Sequence, residues 1–114
     1  MRPGTVYTLE RGEALLGRLT VVESGMFAIR CTFGAAPAFA PYRPLFEEDA
    51  FLAERMAGDD DSALLEEAEA VLERLLALGL VLRREGGGVY RGALISIEGN
   101  QASFRPLDPE EQPL

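Results

Sequence analysis

A chain of 114 residues with 47% hydrophobic and 26% charged residues has the size and composition of one globular domain. It has 19 acidic and 11 basic residues and a formal net charge of −8, and every basic residue is Arg, because the sequence contains no Lys and no His. These absences exclude histidine-dependent catalysis, His-ligated metals, Schiff-base chemistry and a lysine-dependent phosphate loop, and the single cysteine excludes an intrachain disulfide.

The first third of the chain predicts a three-stranded antiparallel meander. Side chains alternate in character along Thr5–Glu10, Ala14–Glu23 and Met26–Phe33, as they do in strands that bury one face. Arg11-Gly12 and Ser24-Gly25 are typical turn residues. We expect the following residues to form the buried apolar face: Leu15, Leu19, Val21, Phe27, Ile29 and Phe33.

A proline-rich segment and two helices follow. Gly34–Pro44 contains three prolines and two aromatic residues, which predicts an ordered loop rather than a flexible linker. Leu45–Ala57 and Ala63–Leu78 carry apolar residues at helical spacing, and Gly79 lies where a helix C-terminal cap is expected. Glu47-Glu48-Asp49 falls in the first turn of the earlier helix, where the helix dipole favours acidic side chains.

The last third returns to strands, at Leu80–Arg84, Val89–Glu98 and Gln101–Arg105, with a tight turn at Gly99-Asn100 and a frayed tail over residues 106–114. The order β-β-β-α-α-β-β-β predicts a single α+β domain over residues 1–114. We expect a curled antiparallel sheet of five to six strands with two central helices packed on one face, the second of them covering the apolar face of the meander.

Two stretches of the chain are alike. A Gly-x-Leu followed by a Glu, a two-residue turn and an Arg occurs at Gly17–Arg30 and again at Gly92–Arg105. The similarity indicates either a duplicated hairpin or two unrelated hairpins with common turn residues, and four matched positions slightly favour the second interpretation.

The negative charge is concentrated in the middle of the chain. Between Leu45 and Arg74 there are eleven acidic residues and two Arg, a net charge of −9, whereas the remaining residues carry +1. This distribution repels nucleic acid, and we expect no nucleic-acid partner. Because the sequence contains no secretory leader and no apolar run of membrane-spanning length, we expect no membrane association and a cytoplasmic location.

Two motifs carry a family resemblance. They are Tyr7-x-Leu9-x-x-Gly12-x-x-Leu15-x-Gly17-x-Leu19 and Ala38-Phe39 followed by Arg43-Pro44-Leu45-Phe46-Glu47. Together they resemble a family of small bacterial proteins from high-GC genomes whose function is uncharacterised. The resemblance covers about the first half of the chain and implies no activity, cofactor or catalytic residue.

Three acidic or nucleophilic features are weak candidates for chemistry. Asp59-Asp60-Asp61 is a candidate metal site, but it lacks the spacing of a calcium-binding loop, and a solvated cap region is the favoured interpretation. The carboxylates of Glu47-Glu48-Asp49 point in different directions around a helix, so dipole complementation is favoured over acid–base catalysis. Cys31 alternates with apolar residues, which indicates a buried, inert thiol. We predict no cofactor.

The candidate binding residues are Arg30, Tyr42 and Arg43. If the proline-rich segment folds back over the sheet, the three side chains form an anion-binding corner, because guanidinium groups bind carboxylates and phosphates with two hydrogen bonds. The favoured alternative is a helical ion pair between Arg43 and Glu47.

Three functions remain open. The leading hypothesis is a non-enzymatic binding or interaction module, with self-association through sheet edges as one form of it. The second is an acidic regulator or immunity-type inhibitor that binds a basic protein through its helical face. The third is an enzyme that uses carboxylates and a divalent metal.

Overall fold

The computed structural model describes residues 3–25, 28–58, 62–91 and 93–106, and the fold is α+β as predicted. It contains seven strands, a 3₁₀ helix and two α-helices. In chain order these are β1 (Val6–Arg11), β2 (Ala14–Ser24), β3 (Ile29–Ala35), the 3₁₀ helix (Pro37–Tyr42), α1 (Arg43–Met56), α2 (Ser62–Ala77), β4 (Val81–Arg84), β5 (Val89–Tyr90), β6 (Ala93–Glu98) and β7 (Gln101–Pro106).

The strands form one antiparallel sheet in the order β5-β4-β1-β2-β3-β7-β6. The predicted number of five to six strands is too low, because the single strand expected over Val89–Glu98 is divided. Its first part pairs with β4 and its second part pairs with β7, at the opposite edge of the sheet. Alternation alone does not reveal such a break, because it depends on which distant strand each part pairs with.

The division forces the sheet to curl. In a flat sheet of seven strands the two edges would lie roughly 29 Å apart. Tyr90 and Ala93 stand on those two edges, yet they are separated by only two residues, a connection that spans at most about 11 Å. The edges therefore approach one another, and the predicted curled sheet is confirmed.

Three aromatic rings meet inside the curl. The ring centroid of Tyr7 in β1 lies 5.1 Å from that of Phe104 in β7, and Tyr90 in β5 lies 6.0 Å from Tyr7 and 6.2 Å from Phe104. These strands are not neighbours in the sheet, so the rings contact one another across its concave interior. Burial is the main cause that raises the pKa of Tyr7 to about 12.

A β-bulge changes the predicted buried face of β2. Leu9 pairs with Gly17 and Glu10 pairs with Leu15, so Leu16 has no partner in β1. As a result Leu16 is fully buried whereas Leu15 is 38% exposed, and the prediction for Leu15 is wrong. Four other residues of the predicted apolar face are buried or packed against the core, namely Leu19, Val21, Ile29 and Phe33. The sixth, Phe27, lies outside the described residues.

The proline-rich segment, rather than the second helix, joins the sheet to the helices. Phe39 of the 3₁₀ helix lies 4.9 Å from the Phe33 ring of β3 and 5.5 Å from the Phe46 ring of α1. The 3₁₀ helix contacts β2 and β3, α1 lies against β6, and α2 packs mainly on α1. The expectation that α2 covers the apolar face is therefore wrong, because the 3₁₀ helix, which contains Pro37 and Pro41, lies against β2 and β3 at this position. No described helix is both long and apolar enough to cross a membrane.

The helices fill the gap between the two sheet edges. Phe46 of α1 and three leucines of α2 line a small cavity of about 30 Å³, whose remaining walls come from the chain before β4, the β5–β6 connection and β6. The lining residues outside α1 are Leu72, Leu75, Leu76, Leu80, Arg91, Ala93 and Ile95. A cavity of this size has room for about one or two water molecules, so the helices and the sheet leave only a small space between them.

The two similar hairpins differ in structure. In the first, Glu23 pairs with Arg30, β2 ends at Ser24 and β3 begins at Ile29, whereas in the second, Glu98 pairs with Gln101 around the predicted Gly99-Asn100 turn. The difference favours two unrelated hairpins over a duplication. Gly92 itself and residues 107–114 of the expected tail lie outside the described residues.

We predict that Gly17→Ala destabilises the fold. A Cβ atom at Gly17 would lie 2.6 Å from Phe33 Cε1 and 2.8 Å from the Gly34 carbonyl oxygen. The Phe33 ring is held by Phe39, and Gly34 is held by its pairing with Arg18 of β2, so neither neighbour can move freely. We expect the free energy of unfolding to fall by about 1–3 kcal/mol in urea titrations.

Gly34→Ala is the matched control, because a Cβ atom there meets nothing within 4 Å. We expect this variant to unfold at the same or a slightly higher urea concentration than the parent protein. Equal stability of the two variants would contradict the close packing of Phe33 on Gly17.

Candidate binding groove

Outward-facing polar side chains form two rows across β3, β7 and β6. The strands alternate, so the neighbours Cys31, Ala102 and Ile97 point inward and are buried. The first row runs across the sheet through Arg30, Ser103 and Ser96, and the second runs through Thr32, Gln101 and Glu98. The rows give this part of the sheet a surface of hydroxyl, amide and charged groups.

Helix α1 forms a wall beside these rows. Ala50, Ala53 and Glu54, which share one helix face, line a groove of about 880 Å³ together with the two rows and with Val22 and Ala28. Because two of the three wall residues are alanines, no large side chain fills the space between helix and sheet. The groove falls within the range of volumes that proteins use to bind ligands.

The charged groups of the groove are unevenly neutralised. The guanidinium Nη1 of Arg30 lies 3.0 Å from the Glu23 carboxylate, in an exposed ion pair. Within the described part of the chain, no cationic group lies within salt-bridge distance of Glu54 or Glu98. The Arg55 guanidinium, next to Glu54 in sequence, lies instead over the Phe51 ring at 5.8 Å. The groove therefore holds two uncompensated carboxylates.

Cys31 lies beneath the groove and is 4% exposed. Burial raises the pKa of its thiol to about 11, so the thiol is protonated at neutral pH. The predicted burial is confirmed, and the site gives Cys31 no group that would activate it as a nucleophile.

The structure gives Arg30, Tyr42 and Arg43 separate partners. Arg30 pairs with Glu23 near the start of β3, whereas Tyr42 and Arg43 follow the other end of that strand. The Arg43 guanidinium lies 5.1 Å from the Phe39 ring centroid rather than on Glu47. The three side chains do not form one corner, because β3 separates them. Anion binding by Arg30, Tyr42 and Arg43 stays a prediction.

Tyr42 is instead bound by Arg11, a residue that the sequence did not single out. Arg11 Nη1 donates a hydrogen bond of 2.9 Å to the Tyr42 hydroxyl, its guanidinium lies 5.6 Å from that ring, and its Nε donates to the Leu78 carbonyl at 3.0 Å. Arg11 thus links β1 to the C-terminal end of α2, where the helix dipole favours a cation. Only the turn at Arg11-Gly12 was visible in the sequence.

The candidate metal site at Asp59-Asp60-Asp61 lies outside the described residues. Among the residues that the structure describes, no three His, Cys, Asp or Glu side chains come together as metal ligands. Metal binding by the three aspartates stays a prediction.

Asp49 lies on the inward face of α1, in line with Leu45, Leu52 and Met56. The helix begins at Arg43, two residues earlier than predicted, so Glu47-Glu48-Asp49 falls beyond the first turn, and dipole complementation does not account for it. Desolvation by burial raises the pKa of Asp49, because the folded state disfavours the charged carboxylate relative to the unfolded state. The charged carboxylate therefore lowers the free energy of unfolding at neutral pH.

We predict that Asp49→Asn raises the thermal midpoint at pH 7. Because the pKa of Asp49 is higher in the folded state than in the unfolded state, deprotonation of Asp49 lowers the free energy of unfolding as the pH rises through the folded pKa. Asn cannot be deprotonated, so the variant avoids this destabilisation. The gain should shrink on acidification and vanish below about pH 3.8, the ordinary value for an Asp carboxyl.

Glu48→Gln removes the same charge from an exposed position of α1 and serves as the control. It should shift the midpoint less than Asp49→Asn at pH 7. If both variants shift the midpoint equally, the effect comes from the change in net charge, and burial of Asp49 does not destabilise the fold.

Comparisons with protein-family models, with curated proteins and with solved structures find no match to this chain. The resemblance to bacterial proteins from high-GC genomes therefore stays a prediction.

Proposed function

We propose that the protein is a non-enzymatic binding module and that it binds a segment of a partner protein in the groove between α1 and the outer face of β3, β7 and β6. The observation that carries this proposal is the open groove itself, in which a rigid sheet supplies two rows of polar side chains and α1 supplies a wall of small residues. Polar groups on strands are held in fixed positions, which lowers the entropic cost of binding.

The uncommitted hydrogen-bonding groups support this function. Within the described residues, four polar side chains of the groove make no hydrogen bond to the rest of the chain, so their hydroxyl and amide groups are available to a ligand. They belong to Thr32, Ser96, Ser103 and Gln101. A peptide offers both donors and acceptors along its backbone and matches such a mixed surface.

A second candidate surface is the acidic outer side of the helices. Helix α2 carries four exposed carboxylates, those of Glu66, Glu67, Glu69 and Glu73. Within the described part of the chain these carboxylates have no cationic partner, which favours the hypothesis of a regulator that binds a basic protein. Self-association, a cytoplasmic location and a carboxylate-dependent enzyme activity remain predictions.

Selection of peptides from a displayed random library tests the groove. We expect the selected peptides to shift the amide signals of residues 30–32, 50–54, 96–98 and 101–103 in two-dimensional NMR spectra of the protein. Ala53→Phe should abolish these shifts, because the added ring would fill the groove from an exposed position of α1.

Ala70→Phe makes the same substitution at an exposed position of α2, outside the groove, and should leave peptide binding unchanged. Peptides that shift only signals elsewhere, or that bind Ala53→Phe as well as the parent protein, would refute the proposal. So would the failure of the library to yield any binder.

A further inference from the structure

We propose that the groove binds an Arg- or Lys-bearing segment of a basic partner protein, with a cationic side chain held by Glu54 and Glu98. This inference rests on the proposed function and names the chemical class of the partner. The groove walls contribute one Arg and two Glu, and the Arg is already paired with Glu23, so the two Glu side chains set the charge that a ligand meets.

The two carboxylates come from different elements. Glu54 extends from α1 and Glu98 from the end of β6, so they approach the groove from its helical and its sheet side. Neither has a cationic partner within the described residues, and both are exposed. A guanidinium or ammonium group donates hydrogen bonds and accepts none, which suits a site whose two unpaired charged groups are carboxylate acceptors.

The neutral part of the groove suits the rest of such a side chain. The methyl groups of Ala50 and Ala53 and the exposed side chain of Val22 offer apolar contact to an aliphatic stem, while hydroxyl groups of Thr32 and Ser96 can accept further hydrogen bonds. Lys and Arg side chains bury their stems on apolar surface in this manner and keep the charged end among polar groups.

The charge of the whole chain favours a polycationic protein segment over a free amino acid. The net charge is −8, and the segment from Leu45 to Arg74, which includes the groove wall on α1, carries −9 against +1 for the remaining residues. Such a field attracts a ligand with several cations more strongly than one with a single cation and increases its association rate.

Fluorescence anisotropy with two labelled peptides tests the inference on the full chain. One peptide alternates Ser and Arg, and the other has Gln in place of each Arg. We expect the Arg peptide to bind more tightly than the Gln peptide at low salt, and added NaCl to weaken it. The double variant Glu54→Gln/Glu98→Gln should weaken the Arg peptide by about five- to tenfold, as expected for the loss of two partly exposed ion pairs.

The double variant Glu66→Gln/Glu69→Gln removes the same charge from α2, outside the groove, and should weaken binding by less than about twofold, since exposed distant charges are largely screened. An equal loss in both double variants would place the basic ligand on the acidic helical side and overturn the inference. Free arginine that competes as strongly as the peptide at equal concentration would overturn the protein segment as the ligand.

The inference and the proposed function fail in different ways. If the Gln peptide binds as tightly as the Arg peptide and still shifts the groove signals in NMR spectra, the cationic ligand is wrong and the binding module stands. If neither these peptides nor any library peptide shifts the groove signals, both proposals are wrong.

Discussion

The connection between β5 and β6 constrains the whole molecule. Two residues join strands that stand on opposite edges of a seven-stranded sheet, so the sheet cannot be flat. The curl brings Tyr7, Tyr90 and Phe104 together in one interior, although they belong to strands far apart in the sheet. The core is therefore a consequence of chain connection as much as of apolar composition.

The same constraint determines where the helices lie. Curling leaves a gap between the edges, and the aromatic series Phe33, Phe39 and Phe46 attaches the helical pair at this place. α1 then runs beside β6, and its small residues face the polar rows of the neighbouring strands. The groove therefore lies where α1 runs beside the outer face of β3, β7 and β6.

Local patterns in the sequence predicted the elements well and their arrangement poorly. Alternation located the strands, and helical spacing located α1 and α2 to within about two residues, because these signals depend on neighbouring positions. The bulge at Leu16 and the break at residues 91–92 depend on the register of distant strands, which no local pattern records. The groove was missed for the same reason. Arg30 was singled out, but Ser96, Gln101 and Ser103 become its neighbours only through the β3–β7–β6 pairing.

Nuclear Overhauser effects between aromatic rings test the closure of the sheet, on which the core, the position of the helices and the groove all depend. In a sample with selectively labelled Tyr and Phe rings, a closed sheet should give cross-peaks between Tyr7 and Phe104 and between Tyr90 and Phe104, whose centroids lie 5.1 and 6.2 Å apart. Cross-peaks from Tyr7 that reach only the adjacent strands β2 and β4, with none to Phe104, would contradict it.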